Sequence, residues 1–250
     1  MGGFAVAATH SAEQVALITG ANKGIGFEIA RQLGKQGITV LVGARDSHRG
    51  RKAVETLQGE GIRAQELILD VTNQRTIDAA VAEVDRKFGK LDILVNNAGI
   101  LVETAPPSEC QIENLRKTFE TNLFGLFAVT KAFLPLIRKA AAGRIVNVSS
   151  ALGSLTSVAD PQQTRLKNRY LAYGASKAAV NSLTIAFARE IRNTSIKVNA
   201  AAPGLTPTAM SNFAGHQTVE QGAVAAVRLA TLPPDGPTGS FVDGNGTVPW

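Results

Sequence analysis

VALITGANKGIGFEIARQLGKQ, residues 15–36, decides the architecture of this chain. Residues 15–19 (VALIT) are an apolar run of strand length. In residues 25–36 (IGFEIARQLGKQ) the apolar side chains recur every three or four positions, the period of a helix with one buried face. Between strand and helix, Gly20 lets the chain turn sharply, Gly24 lets the backbone approach a pyrophosphate, and Gly26 permits close packing at the positive end of the helix. Asn22, Lys23 and Ile25 complete the turn. The spacing GxxxGxG departs from GxGxxG, so it is the position between strand and helix that identifies a dinucleotide-binding turn.

The same alternation runs outward to the end of the chain. Six further apolar runs follow: ITVLVG (38–43), AQELIL (64–69), LDILV (91–95), GRIVNV (143–148), IKVNA (196–200) and GSFV (239–242). Helix-period segments separate them, among them TIDAAVAEVDRKFG and TFETNLFGLFAVTKAFLPLIRKA. Near-continuous apolar strands alternating with amphipathic helices predict an α/β fold: a single Rossmann-type, doubly wound domain with a seven-stranded parallel sheet and helices on both faces. Residues 1–14 read as an N-terminal extension and 15–250 as one domain. Thr218 and Gln221 fit a capping box opening a helix that ends near Pro233.

With 250 residues, 44% hydrophobic and 18% charged, the chain has ample material for a buried core. Its one cysteine, Cys110, excludes an intrachain disulfide and reads as a packing residue with no histidine to activate it. Three histidines without metal-ligand spacing predict no metal site. No signal peptide or membrane-spanning run is legible, which predicts a cytoplasmic protein. The net charge of +6 comes from scattered basic residues, and aromatics make up only 5%. A nucleic-acid partner would call for clustered charge and stacking side chains, so none is expected.

Two places carry chemistry beyond the glycine turn. The second strand ends in Gly43-Ala44-Arg45-Asp46, where an acid would bind the ribose hydroxyls of NAD and an arginine the 2′-phosphate of NADP. Arg45, with Lys23 and Arg49 nearby in sequence, predicts NADP(H). Further on, Tyr173-Gly-Ala-Ser-Lys177 puts a phenol and an ammonium one helical turn apart if residues 173–192 form a helix. At about 4 Å and an effective dielectric of about 20, an attraction of roughly 4 kcal/mol would bring the phenol from near 10 toward working pH. A general acid is most useful there.

At this point the chain resembles the short-chain dehydrogenase/reductase family over roughly residues 13–242. TGANKGIG (19–26), Asp70-Val71, NNAG (96–99), Asn122, VSS (148–150), YGASK (173–177) and PG (203–204) follow the family's motifs in the family's order. GARDSHRG (43–50) is similar to the corresponding stretch of its NADPH-dependent carbonyl reductases. The resemblance implies that Asp70 and Val71 contact the adenine. Asn96, Ala98 and Gly99 would line the adenosine ribose and support the sheet. Pro203, Gly204 and Thr208 would lie along the nicotinamide and pyrophosphate, although Thr208 would equally serve as a helix cap. Ser150 would hydrogen-bond the substrate carbonyl, and Asn122 would hold a water linked to Lys177 or simply bridge a helix kink. Tyr173 would donate the proton, with Lys177 tuning it and binding the nicotinamide ribose.

Ser150 and Tyr173 are 23 residues apart, a longer interval than the family usually has. The extra residues, within 154–169, are expected to cover the pocket and screen a helix face used in family tetramers, which predicts a monomer or dimer. The function implied is reduction of a small aldehyde, ketone or quinone by NADPH. The alternatives are alcohol oxidation by the same groups in reverse and a non-catalytic NADPH-binding sensor, which would have no need of a tuned acid.

Overall fold

The computed structural model describes residues 13–162 and 170–250. Seven parallel strands form one sheet in the order β3-β2-β1-β4-β5-β6-β7. They are β1 (Val15–Thr19), β2 (Thr39–Ala44), β3 (Ala64–Ile68), β4 (Ile93–Asn96), β5 (Arg144–Val148), β6 (Lys197–Ala201) and β7 (Phe241–Val242). All seven predicted strands are present, shifted by at most a few residues. In the run 91–95, Leu91 N bonds Leu136 O outside the sheet, and the backbone of Asp92 is the first to bond Val15 and Arg144 of the neighbouring strands.

Among the described residues, eight α-helices connect the strands: α1 (Gly24–Lys35), α2 (Ser47–Gly59), α3 (Gln74–Phe88), α4 (Ile112–Phe119), α5 (Leu126–Ile137), α6 (Leu155–Ala159), α7 (Leu171–Glu190) and α8 (Val219–Ala230). Successive strand residues point to opposite faces, so each strand feeds two cores. Ala16 and Ile18 of β1 join Ile29 and Leu33 of α1, Leu57 of α2 and Ala226 of α8 on one face. Val15 and Leu17 join Ile77 of α3, Phe133 of α5 and Phe187 of α7 on the other.

The local signals that end and begin helices are visible in the bonds. Asp46 caps α2 by accepting from Arg49 N, and Gly89 closes α3 in the left-handed region at φ 67°. The Thr218 box forms in full, with Thr218 N donating to Gln221 Oε1 at 2.8 Å and Gln221 N to Thr218 Oγ1 at 3.3 Å. The predicted helix over 118–140 is α4 and α5 joined through a π-helical turn, Glu120–Gly125. The continuous helix Ile112–Ile137 is long and apolar enough to cross a membrane, and half of its most apolar stretch is buried in the domain, as in a core helix.

The chain steps outward from β1 to β2 and β3, then returns to β4 on the other side of β1. The strand order thus reverses between β1 and β4, and in open parallel sheets ligands bind in the crevice beyond the strand ends at such a point. The glycine turn after β1 and the NNAG segment after β4 meet there.

Candidate active site

Gly20 adopts φ +64°, which only glycine enters without strain. A Cβ on Gly26 would lie 2.8 Å from Gly20 O and would collide with Asn97 Nδ2, so α1 packs on the turn as closely as its backbone allows. Thr19 Oγ1 accepts from both Asn97 N and Ala98 N at 2.9 Å, and Asn97 Nδ2 donates to Thr19 O at 2.8 Å. These bonds weld the ends of β1 and β4 into one rigid floor. Lys23 is exposed and Asn22 half-buried, whereas Ile25 turns its side chain onto the core. Helix α1 opens with no capping side chain and no acid in its first turn. Its unpaired N–H groups and the helix dipole are therefore available to an anion.

Beside this turn lies a cavity of about 520 Å³, lined by Asn22, Lys23, Phe27, Arg49, Lys52, Ala53 and Thr56. Three of these residues are cationic and none is acidic. Arg45 is exposed directly after β2. Asp46, the acid beside it, is committed to capping α2, and the bond from Arg49 N holds its carboxyl below the usual range, aided by the Arg49 guanidinium.

The second group converges from four segments. Lys177 Nζ is buried, donates to Val148 O at 2.7 Å and sits 5.6 Å from the centre of the Tyr173 ring. Ser150 follows β5 and accepts from Leu152 N at 3.2 Å, opening a single 3₁₀ turn, Ala151–Gly153, that lies against α7. Asn122 is fully buried in the π-helical turn. Its side chain bonds Ile100 N at 2.8 Å, Ile100 O at 3.0 Å and Ser176 Oγ at 3.0 Å. A Cβ on Gly99 would stand 3.4 Å from Asn122 Oδ1 and 3.7 Å from Lys177 Nζ, which places Gly99, Asn122 and Lys177 around one point.

The electrostatics differ from the expectation drawn from spacing alone. Burial pushes the Tyr173 phenol up to about 12, against a smaller lowering by the neighbouring Ser150 side chain. Burial also brings Lys177 down to about 8. The ammonium points at the Val148 carbonyl, so at the phenol desolvation outweighs attraction and the predicted fall is corrected to a rise.

Of the two parts expected of Asn96, lining the adenosine ribose and supporting the sheet, the structure shows the second. The Asn96 side chain is buried and donates to Thr130 Oγ1 at 2.8 Å and Asn147 Oδ1 at 2.9 Å, bracing β4 against α5 and β5. Neighbouring residues of a strand face opposite ways, so it is Asn97 that reaches the glycine turn.

The remaining candidates are arranged around the same edge. Asp70 Oδ1 accepts from Thr72 N at 2.9 Å and Thr72 Oγ1 at 2.8 Å, and Val71 packs so tightly on Gly125 that a Cβ there would meet Val71 O at 2.8 Å. The Pro203-Gly204 loop is tied back by Gln217, whose Nε2 bonds Pro203 O and, at 2.7 Å, Thr206 Oγ1. Thr208 N donates to Ser211 Oγ at 3.1 Å, so Thr208 does begin a helical turn. Its methyl group also borders Gly24, 3.5 Å from where a Cβ would stand.

Sequence reasoning assigned no role to Thr19, Asn97, Ser176 or Gln217. Thr19, Asn97 and Ser176 lay inside quoted motifs, but Gln217 carries no local signal. Of the segment 154–169, residues 154–162 hold α6, and Thr156 bonds the carbonyl of Trp250 through N at 3.0 Å and Oγ1 at 2.7 Å. Residues 163–169 lie outside the described residues, as do residues 1–12 of the N-terminal extension.

The profile of the short chain dehydrogenase family matches residues 14–218. Short-chain dehydrogenase/reductase 1 of Saponaria officinalis is 35% identical, with 95% of this chain and 96% of the relative covered. Carbonyl reductase [NADPH] 1 of Rattus norvegicus is 36% identical, with 94% and 98% covered. Among solved structures, the NADPH-bound carbonyl reductase from chicken fatty liver superposes with a TM-score of 0.84 at 26% identity, covering 95% of this chain and 99% of that one.

Proposed function

The chain belongs to the short chain dehydrogenase family, on its carbonyl reductase-like branch, and from that premise we propose an NADPH-dependent reductase of small aldehydes, ketones or quinones with Tyr173 as proton donor. The observation that carries this proposal is the meeting of Ser150, Tyr173 and Lys177 at the sheet edge where the glycine turn lies.

The residues present suit NADP(H). The open N-terminus of α1 would take the pyrophosphate, and Lys23, Arg45 and Arg49 would take the 2′-phosphate, with Asp46 held away by its capping bond. Asp70, Val71, Ala98 and Gly99 would border the adenosine. Pro203, Gly204 and Thr208 would border the nicotinamide and pyrophosphate. When bound, NADPH supplies a hydride for the carbonyl carbon.

Tyr173 then gives its proton to the carbonyl oxygen as charge builds there, while Ser150 donates a hydrogen bond to the same atom. At about 12 the phenol keeps its proton at neutral pH, so the donor is loaded before reaction. An alkoxide is a stronger base than a phenolate and draws the proton off. Lys177, largely protonated at neutral pH with a pKa of about 8, stabilises the phenolate left behind. Asn122 would hold a water joined to Lys177 near Gly99.

Tyr173→Phe tests the assignment. NADPH consumption against a panel of aldehydes, ketones and quinones should disappear, while NADPH affinity stays within a few fold, because the phenol serves the substrate. A Phe variant with near-normal kcat would overturn it.

A further inference from the structure

Glu103 lies on the loop that leaves Gly99, and its side chain is only 7% exposed. One carboxylate oxygen, Oε1, accepts from Ala172 N at 3.2 Å, and the other, Oε2, accepts from the Cys110 thiol at 2.6 Å. Ala172 is the second residue of α7 and immediately precedes Tyr173. The N–H groups of a helix's first turn have no acceptor within the helix and are ordinarily satisfied by the side chain at the N-cap. Tyr170 occupies that position and makes no side-chain capping bond. The first bond of the ladder is Gly174 N to Tyr170 O at 2.7 Å, so Ala172 N lies outside it. Its acceptor comes instead from a residue 69 positions away in sequence. An anionic acceptor also suits the positive end of the helix.

The position of this bond matters because Tyr173 stands in the first turn of α7, where helices fray most readily. One turn further on, Lys177 is anchored to Val148 O and Ser176 to Asn122. In the turn before it, Ser176 Oγ donates to Tyr173 O at 2.7 Å from within the helix and Ser150 lies at the phenol, while Glu103 supplies the bond to the backbone N–H at its start.

We propose that Glu103 is a positioning residue for the reaction: a remote cap that fixes the first turn of α7, and with it the Tyr173 phenol, to the loop after Gly99, with the Cys110 thiol holding the carboxylate in place. This rests on Tyr173 being the proton donor. Cys110 is suited to the part, since its bond to Glu103 pushes the thiol up to about 11 and keeps it a donor at neutral pH. A cysteine that looked like inert packing in the sequence thus acquires a hydrogen-bonding task.

The test compares Glu103→Ala, Glu103→Gln and the double variant Glu103→Ala with Tyr170→Ser, each with NADPH bound. Amide hydrogen exchange at Ala172 and the split between kcat and KM are the readouts. Losing the cap should speed exchange at Ala172 about fivefold, the usual worth of a helix cap, and lower kcat while KM for NADPH stays within about twofold. Glutamine keeps an oxygen acceptor for Ala172 N and should restore both readouts. Tyr170→Ser supplies a local cap and should restore them even without Glu103. Unchanged exchange in Glu103→Ala overturns the cap, and faster exchange with unchanged kcat overturns its link to catalysis. A loss of kcat that neither glutamine nor the local serine repairs also overturns the proposal. If Glu103→Ala fails to fold, Cys110→Ala provides the milder probe, and unaltered exchange there removes the thiol from the arrangement. Exchange at Ala172 does not depend on what Tyr173 does, so an active Tyr173→Phe enzyme would refute the proton donor while leaving the cap measurable.

Discussion

Replacing Gly153 with alanine would drive a methyl group into the backbone of α7. A Cβ at this position would lie 2.7 Å from the carbonyl carbon of Lys177 and 2.9 Å from both its Cβ and its carbonyl oxygen. Comfortable carbon–carbon contact begins near 3.5 Å, so the 3₁₀ turn must retreat by about 0.8 Å. It cannot do so freely, because Asn181 Nδ2 bonds Gly153 O at 3.0 Å and Ser149 Oγ bonds Asn181 Oδ1 at 2.6 Å. Overpacking of this kind costs about 1–3 kcal/mol, which in a domain of this size lowers Tm by roughly 3–10 °C. Ser150 begins the turn and moves with it, away from the phenol. Misplacement approaching 1 Å near reacting atoms costs up to about a hundredfold in rate, so kcat should fall by roughly tenfold or more. Thermal denaturation and NADPH consumption at saturating substrate measure the two effects. A Gly153→Ala enzyme with wild-type Tm would refute the packing argument. A lowered Tm with unchanged kcat would refute the coupling of this turn to the site.

Three further outcomes are expected. Arg45→Ala should reduce the preference for NADPH over NADH by about tenfold, the lower end for a charged hydrogen bond because Arg45 is exposed; equal weakening of both cofactors would contradict the assignment. Lys177 falls from 10.5 to about 8 on folding, so between these values the unfolded chain holds the proton that the folded chain has lost, and wild-type stability rises with pH. Lys177→Met abolishes this gain, and urea denaturation at pH 7 and pH 9.5 should show the difference moving toward wild type by about 2 kcal/mol; a constant difference would show that the ammonium is not desolvated. Light scattering should give a monomer or dimer, and a mass near four times 26.2 kDa would contradict screening of the helix face by residues 154–169.

The alternation of strands and helices was legible because it depends on local periodicity. Residues 15–19 read as a strand and are β1 to the residue, and the capping box at Thr218 and Gln221 forms as expected. At Asn122 the sequence offered a helix kink as one of two readings but not its π-helical form, since nothing in ETNLFG distinguishes it from ordinary helix; the bonds from Asn122 to Ile100 and Ser176 accompany it there.

The sequence by itself determined which chemical groups this protein possesses and roughly where along the chain they fall: a glycine turn between strand and helix, a basic residue after β2, and a phenol and an ammonium one turn apart. These are short-range properties, written in side-chain size, backbone freedom and the periods of helix and strand. Only the tertiary structure decided that Asn97 rather than Asn96 meets the glycine turn, because pairing with neighbouring strands settles which face each residue takes. It alone decided the direction of the Tyr173 shift, because desolvation is the sum of everything packed around the phenol, most of it distant in sequence. And it alone brought Glu103 to the start of α7, since a helix whose own N-cap offers no acceptor takes one from whatever segment the fold lays beside it.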